Sequence, residues 1–170
     1  MDKDVLFFEK QKFNQWWLWL LLLLVNGLFF FGFYKQVLCG QQFGNKPMSN
    51  NGLMVACILS VLITILIYNH RLETWITKDG IYVRFFPFHL SFKHFTWDTI
   101  SKSFVREYNP IGEYGGWGLR LGLFGVGNAY NVSGNKGLQI EFFNRKKLLI
   151  GTKKPQEITA VLDEVKQFKK

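Results

Sequence analysis

The chain has 170 residues, 48% of them hydrophobic, and a formal net charge of +9. That length holds one or two domains. Two cysteines are too few for a disulfide framework, so Cys39 and Cys57 read as unpaired thiols. The basic balance carries no nucleic-acid motif, which points to orientation and adhesion at a membrane surface rather than to nucleic acid.

The averages conceal a split along the chain. Trp16 to Tyr34 has no charged residue in 19 positions, roughly 28 Å of helix against a hydrocarbon thickness of about 30 Å. Trp16, Trp17 and Trp19 crowd one end and Tyr34 closes the other, as interfacial aromatics do. A second uncharged run, Gly52 to Tyr68, is about 26 Å long if helical, with His70 and Arg71 at its exit. The first run is not expected to be a cleaved signal: its flank has no net positive charge and no small-residue cleavage site follows. Gln36, Val37 and Leu38 before Cys39 lack the small residue of a lipoprotein site. The segment between the runs is polar and turn-rich, with Gly40, Gly44 and Pro47, and too short for a domain. The expectation is a membrane hairpin with helices at about 16–34 and 52–68. Asn26, Ser60 and Thr64 are expected to hydrogen-bond between the helices.

A hairpin puts both termini on one side. Three lysines precede the first run and two lie between the runs, while 16 Lys or Arg against 9 acids follow from His70 onward. The positive-inside rule places both termini in the cytoplasm, giving a multi-pass protein of the cytoplasmic membrane.

After Arg71 the pattern alternates. LETWIT (72–77), a Lys78-Asp79-Gly80 turn and IYVRFFPF (81–88) read as a β-hairpin. Phe92 to Trp97 and Ile100 to Tyr108 suggest two strands joined at Asp98-Thr99. A glycine-rich stretch from Pro110 to Gly127 follows, then strand character in NAYNVS (128–133), GLQIEFF (137–143) and KLLIG (147–151). Pro155 opens a segment in which Ile158, Val161, Leu162, Val165 and Phe168 recur at helical spacing. The expected order is about seven strands and one C-terminal helix. The expected division is 1–71, an N-terminal segment with the transmembrane hairpin, and 72–170, a mostly β domain.

YGGWGLR from Tyr114, AYNVSGNKG from Ala129 and IGTKKP from Ile150 resemble a pattern of small bacterial membrane proteins in which two transmembrane helices precede a pleckstrin-homology-like (PH-like) domain. The resemblance implies a bent β-sandwich or partly open barrel closed at one end by a C-terminal helix. It implies fold and location rather than an activity. Phosphoinositide-binding members of that fold carry basic residues around the first hairpin loop. Here that turn is Lys78-Asp79-Gly80, with Arg84 further along, so phosphoinositide recognition is not implied.

No GxxxxGK[ST] phosphate loop is present, and the glycines of the 110–127 stretch read as turn and bulge positions. A long loop of this composition is still a place for binding contacts, with Tyr114, Trp117, Leu123 and Phe124 as apolar candidates. His70, His89 and His94 match no metal-ligand spacing. No nucleophile with a base partner or catalytic signature stands out, and neither apolar run carries an intramembrane charge of the kind that marks an ion path. No cofactor is implied, and catalytic and metal residues are expected to be none. The one positive surface signal is Arg145, Lys146 and Lys147 at a turn with Lys153 and Lys154 before the last helix, expected to form one patch for anionic lipid or an acidic partner. The expected function is a membrane-anchored interaction or scaffold module contacting the lipid bilayer and a protein partner, or a second copy through the hairpin. The alternative is a component of a membrane enzyme or transport complex whose site forms on oligomerisation.

Overall fold

Nothing in the first apolar run breaks a helix, and Trp16–Phe33 forms α1, extended by a π-helical turn at Tyr34–Leu38. Asn50–Asn69 forms α2. The computed structural model describes residues 4–122 and 127–168. Both helices are long and apolar enough to cross a membrane, and only 11% and 17% of their apolar windows are buried. A core helix of a globular domain would cover most of that surface.

The helices pack antiparallel. Trp19 meets Tyr68 edge-on at 6.2 Å, and the Cys57 thiol donates to the Phe29 carbonyl at 3.3 Å. Between these contacts, Asn26 Nδ2 donates to Thr64 Oγ1 at 2.8 Å and Ser60 Oγ donates to Asn26 Oδ1 at 3.1 Å. The three polar residues singled out in the sequence therefore join the helices. At the connecting loop, Gln36 Nε2 donates to the Met48 carbonyl at 2.7 Å and to Asn50 Oδ1 at 2.9 Å, which holds the loop ends together.

The chain divides into two compact units, Phe13–Asn69 and the discontinuous pair Met1–Lys12 with His70–Lys170. This differs from the division at residue 71. Val5–Lys12 forms a strand, β1, whose buried face carries Phe7, Glu9 and Gln11. Two of those three side chains are polar, so the alternation of apolar residues that marks a half-buried strand is missing from the sequence.

Arg71–Thr77 (β2), Gly80–Phe86 (β3) and Lys93–Thr96 (β4) follow, and the first sheet runs β1-β2-β3-β4, antiparallel throughout. The Lys78-Asp79 turn forms as read, with Ile76 opposite Ile81. A Cβ on Gly80 would lie 2.3 Å from the Phe95 carbonyl, so only glycine lets β4 approach there. The second sheet contains Ile100–Glu107 (β5), Gly118–Arg120 (β6), Asn128–Asn131 (β7), Lys136–Phe142 (β8) and Lys147–Gly151 (β9), ordered β5-β8-β9-β7-β6. Among the described strands only β7 and β9 pair in parallel. Seven of these nine described strands fall where the sequence placed them, and β1 and β6 are additional. Pro110–Tyr114 (α3) is a short turn of helix, and Pro155–Phe168 (α4) is the expected terminal helix.

The inner faces of the sheets meet through Phe85 against Tyr130 and Phe95 against Phe142. Leu72, Ile76, Ile81, Val83 and Phe85 from one sheet, and Leu138, Ile140, Leu149 and Ile150 from the other, are fully buried. α4 packs on β5, β8 and β1, with Ile158, Leu162 and Val165 turned inward as their spacing predicts, while Val161 from the same pattern is only partly covered. Burying each such side chain contributes about 1.5–3 kcal/mol.

Candidate functional site

The five basic residues picked from the sequence do not share one location. β9 starts at Lys147 and ends at Gly151, so the Arg145-Lys146-Lys147 turn and the Lys153-Lys154 pair lie at opposite ends of a strand about 13 Å long. Two of them are also matched locally, Lys147 with Glu141 at 3.2 Å and Lys154 with Glu157 at 2.9 Å. A strand advances the chain; it does not fold its two ends together.

A negative charge lies beside the start of α4, and it comes from within the chain. The buried Glu9 carboxylate of β1 accepts the Thr152 hydroxyl at 2.6 Å and the Lys153 backbone N–H at 2.8 Å. Thr152 Oγ1 in turn accepts the Lys154 N–H at 2.9 Å. α4 starts at Pro155, so this carboxylate sits just ahead of its first turn, where the helix dipole favours a negative charge. Two residues on, Gln11 Nε2 donates to the Gly151 carbonyl at 2.7 Å.

The loop candidates divide. Tyr114 is buried at the end of α3, edge-on to Tyr108 at 5.9 Å, with its hydroxyl accepting from Arg106 Nη2 at 3.2 Å. It is a packing residue, not an exposed contact. Arg106 also grips Glu113 at 2.7 Å, which holds the Glu113 carboxyl below its ordinary pKa. Trp117 is partly exposed and donates its indole N–H to the Gly134 carbonyl at 3.0 Å. Leu123 and Phe124 lie outside the described residues. Gly115, Gly116, Gly118 and Gly127 all have positive φ, in keeping with the turn reading.

A further cluster of charge beside exposed apolar surface lies at one end of the first sheet. Glu73 in β2 is nearly buried and faces Lys10 and Arg84, its register partners on either side. Arg84 Nε donates to Glu73 Oε2 at 2.8 Å, Arg71 Nε lies 3.3 Å from Oε1 and Lys10 Nζ lies 3.6 Å from it. Three cations thus surround one carboxylate, leaving an excess of two positive charges. Arg71 sits over the Phe86 ring at 4.6 Å and Arg84 over Phe92 at 4.4 Å.

The segment 87–92 between β3 and β4 leaves the sheet at this end, because Phe86 pairs with Arg71 and Arg71 with Lys12. It is braced: the His89 N–H donates to the Phe85 carbonyl at 2.8 Å and His89 Nδ1 accepts the Phe85 N–H at 3.3 Å. Burial, with help from nearby Lys93, lowers the His89 pKa. Phe88 touches His70 at 5.2 Å yet stays 60% exposed, and Leu90 is 79% exposed. This surface was hidden in the sequence because Lys10, Arg71, Glu73 and Arg84 converge only through strand register. The Arg-x-Glu-x-Trp alternation of 71–75 was the available signal.

Two open grooves flank α4. One of ≈ 410 Å³ is lined by Trp97, Ile100, Phe104, Leu162 and Val165, and one of ≈ 510 Å³ by Arg106, Glu107, Lys136, Gln156 and Asp163. His94 stacks on Tyr82 at 3.9 Å, away from His89, which packs against Tyr130. The chain matches no family model, no curated protein and no solved structure.

Proposed function

We propose that the protein is a membrane-anchored interaction module of the cytoplasmic membrane, with α1 and α2 as a transmembrane hairpin and a PH-like domain at the bilayer surface. The observation that carries this reading is the bare apolar surface of the two helices: Leu20, Leu21, Leu23, Leu24, Ile58 and Ile63 are all about half exposed or more. Covering that surface with lipid removes a penalty of about 25 cal/mol per Å², and Asn26, Ser60 and Thr64 satisfy one another inside the pair. Two sheets closed by a C-terminal helix support the PH-like part. The excess of cations around Glu73 supports contact with anionic headgroups, each basic residue near such a surface contributing about 1 kcal/mol.

The test is extraction of native membranes with alkaline carbonate, then with detergent. Release only by detergent is expected, and release by carbonate would overturn the anchored reading.

A further inference from the structure

We infer that the β3–β4 loop is a lipid-inserting wedge, with Phe88 and Leu90 entering the interface of the leaflet through which α1 and α2 pass. The inference rests on the membrane-spanning reading and adds a third point of attachment to it. Three observations carry it. First, β1 ends at Lys12 and α1 begins at Trp16, while α2 ends at Asn69 and β2 begins at Arg71. Fully extended, these links reach about 14 Å and 7 Å. Lys12 and Arg71 are register partners and Phe86 is the next residue across, so the loop leaves the sheet one strand, about 5 Å, from the short link.

Second, among the described large apolar side chains of the discontinuous unit Leu90 is the most exposed, at 79%, and Phe88 at 60% stands two residues before it. Both are presented by a braced loop: Arg84 Nη1 lies 3.4 Å from the Leu90 carbonyl, and Phe88 rests on His70 and Phe85. Apolar tips that cannot fold inward are suited to an interface about 5–8 Å deep on each side of the hydrocarbon. Third, Arg71 and Arg84 stand at the base of the loop on the rings of Phe86 and Phe92. Cations around apolar tips complement anionic headgroups above acyl chains. Charge complementarity and continuity with the two anchoring links select lipid as the occupant over a protein.

The full chain, carrying Cys39→Ser and Cys57→Ala, is reconstituted in vesicles of phosphatidylglycerol and phosphatidylcholine. An environment-sensitive dye is attached at Leu90→Cys, at Lys78→Cys on the opposite turn of the same sheet, or at Leu24→Cys in the middle of α1. The dye at 90 should be blue-shifted and quenched by shallow doxyl lipid at least about twofold more than at 78, while the dye at 24 is quenched by deep doxyl lipid. Equal quenching at 90 and 78 with position 24 quenched overturns the wedge and leaves the spanning helices standing. A blue shift at 90 without doxyl quenching assigns the loop to a second copy of the chain, and also overturns the wedge. An unquenched dye at 24 overturns the spanning reading and the wedge together.

Discussion

Glu9→Ala tests how the N-terminal strand holds the domain together. The side chain is 6% exposed and accepts two hydrogen bonds, from Thr152 Oγ1 at 2.6 Å and from the Lys153 N–H at 2.8 Å. Hydrogen bonds to a charged acceptor contribute about 1.5–3 kcal/mol each, and a carboxylate at a helix start adds about 0.3–1 kcal/mol. Thr152 and Lys153 are neighbours, so these contributions overlap and a loss of about 3–4 kcal/mol is expected. Against a typical total of about 5–15 kcal/mol that is a large fraction, and for a domain of this size it lowers Tm by roughly 10–15 °C. The assay is thermal unfolding of the detergent-solubilised chain followed by near-UV circular dichroism, to which Trp75 and Trp97 of the domain contribute. Glu9→Gln keeps one acceptor oxygen and should lose about half as much. An alanine variant melting within about 3 °C of the parent would refute the claim that β1 carries the anion for α4.

Three further outcomes follow from the same geometry. Asn26→Leu removes the link to Thr64 and Ser60 and should destabilise the hairpin by about 0.6–1.7 kcal/mol, read by denaturation in mixed micelles. Because Lys12 and Arg71 are paired in register, joining residues 4–12 to 71–170 through an Asn-Gly turn should give a soluble, cooperatively melting domain. A 72–170 fragment, lacking Phe7, Glu9 and Gln11, should not melt cooperatively. The folded pKa of His89 is lowered from 6.5 by burial and by Lys93, so the unfolded chain takes up this proton first. Its contribution to stability is complete above about 6.5 and falls as pH drops through that value, and His89→Gln should flatten the dependence in denaturant titrations between pH 7.5 and 5.5.

The parts of the fold legible in the sequence are those set by local pattern. Continuous apolar runs gave α1 and α2, Asp79-Gly80 gave the first hairpin, and the spacing of Ile158, Leu162 and Val165 gave the buried face of α4. What stayed hidden depends on partners distant in sequence. β1 reads as polar because Glu9 and Gln11 point inward to bonds at Thr152 and Gly151, some 140 residues away. β6 is three residues long inside a glycine-rich stretch. The basic residues from 145 to 154 are close in sequence, but β9 separates them in space. The cations around Glu73 are far apart in sequence, and strand register brings them together.

The proposed topology, a membrane hairpin with the discontinuous domain on the cytoplasmic side, is open to a thiol-accessibility experiment. Cys39 is exposed in the loop between the helices and Cys57 is buried against α1, so the natural chain carries one reporter, and Lys78→Cys places a second on the domain. In intact cells an impermeant maleimide should label Cys39 at once and position 78 only after lysis. Labelling of 78 before lysis with Cys39 protected would invert the topology, and labelling of both from one side would contradict the hairpin itself.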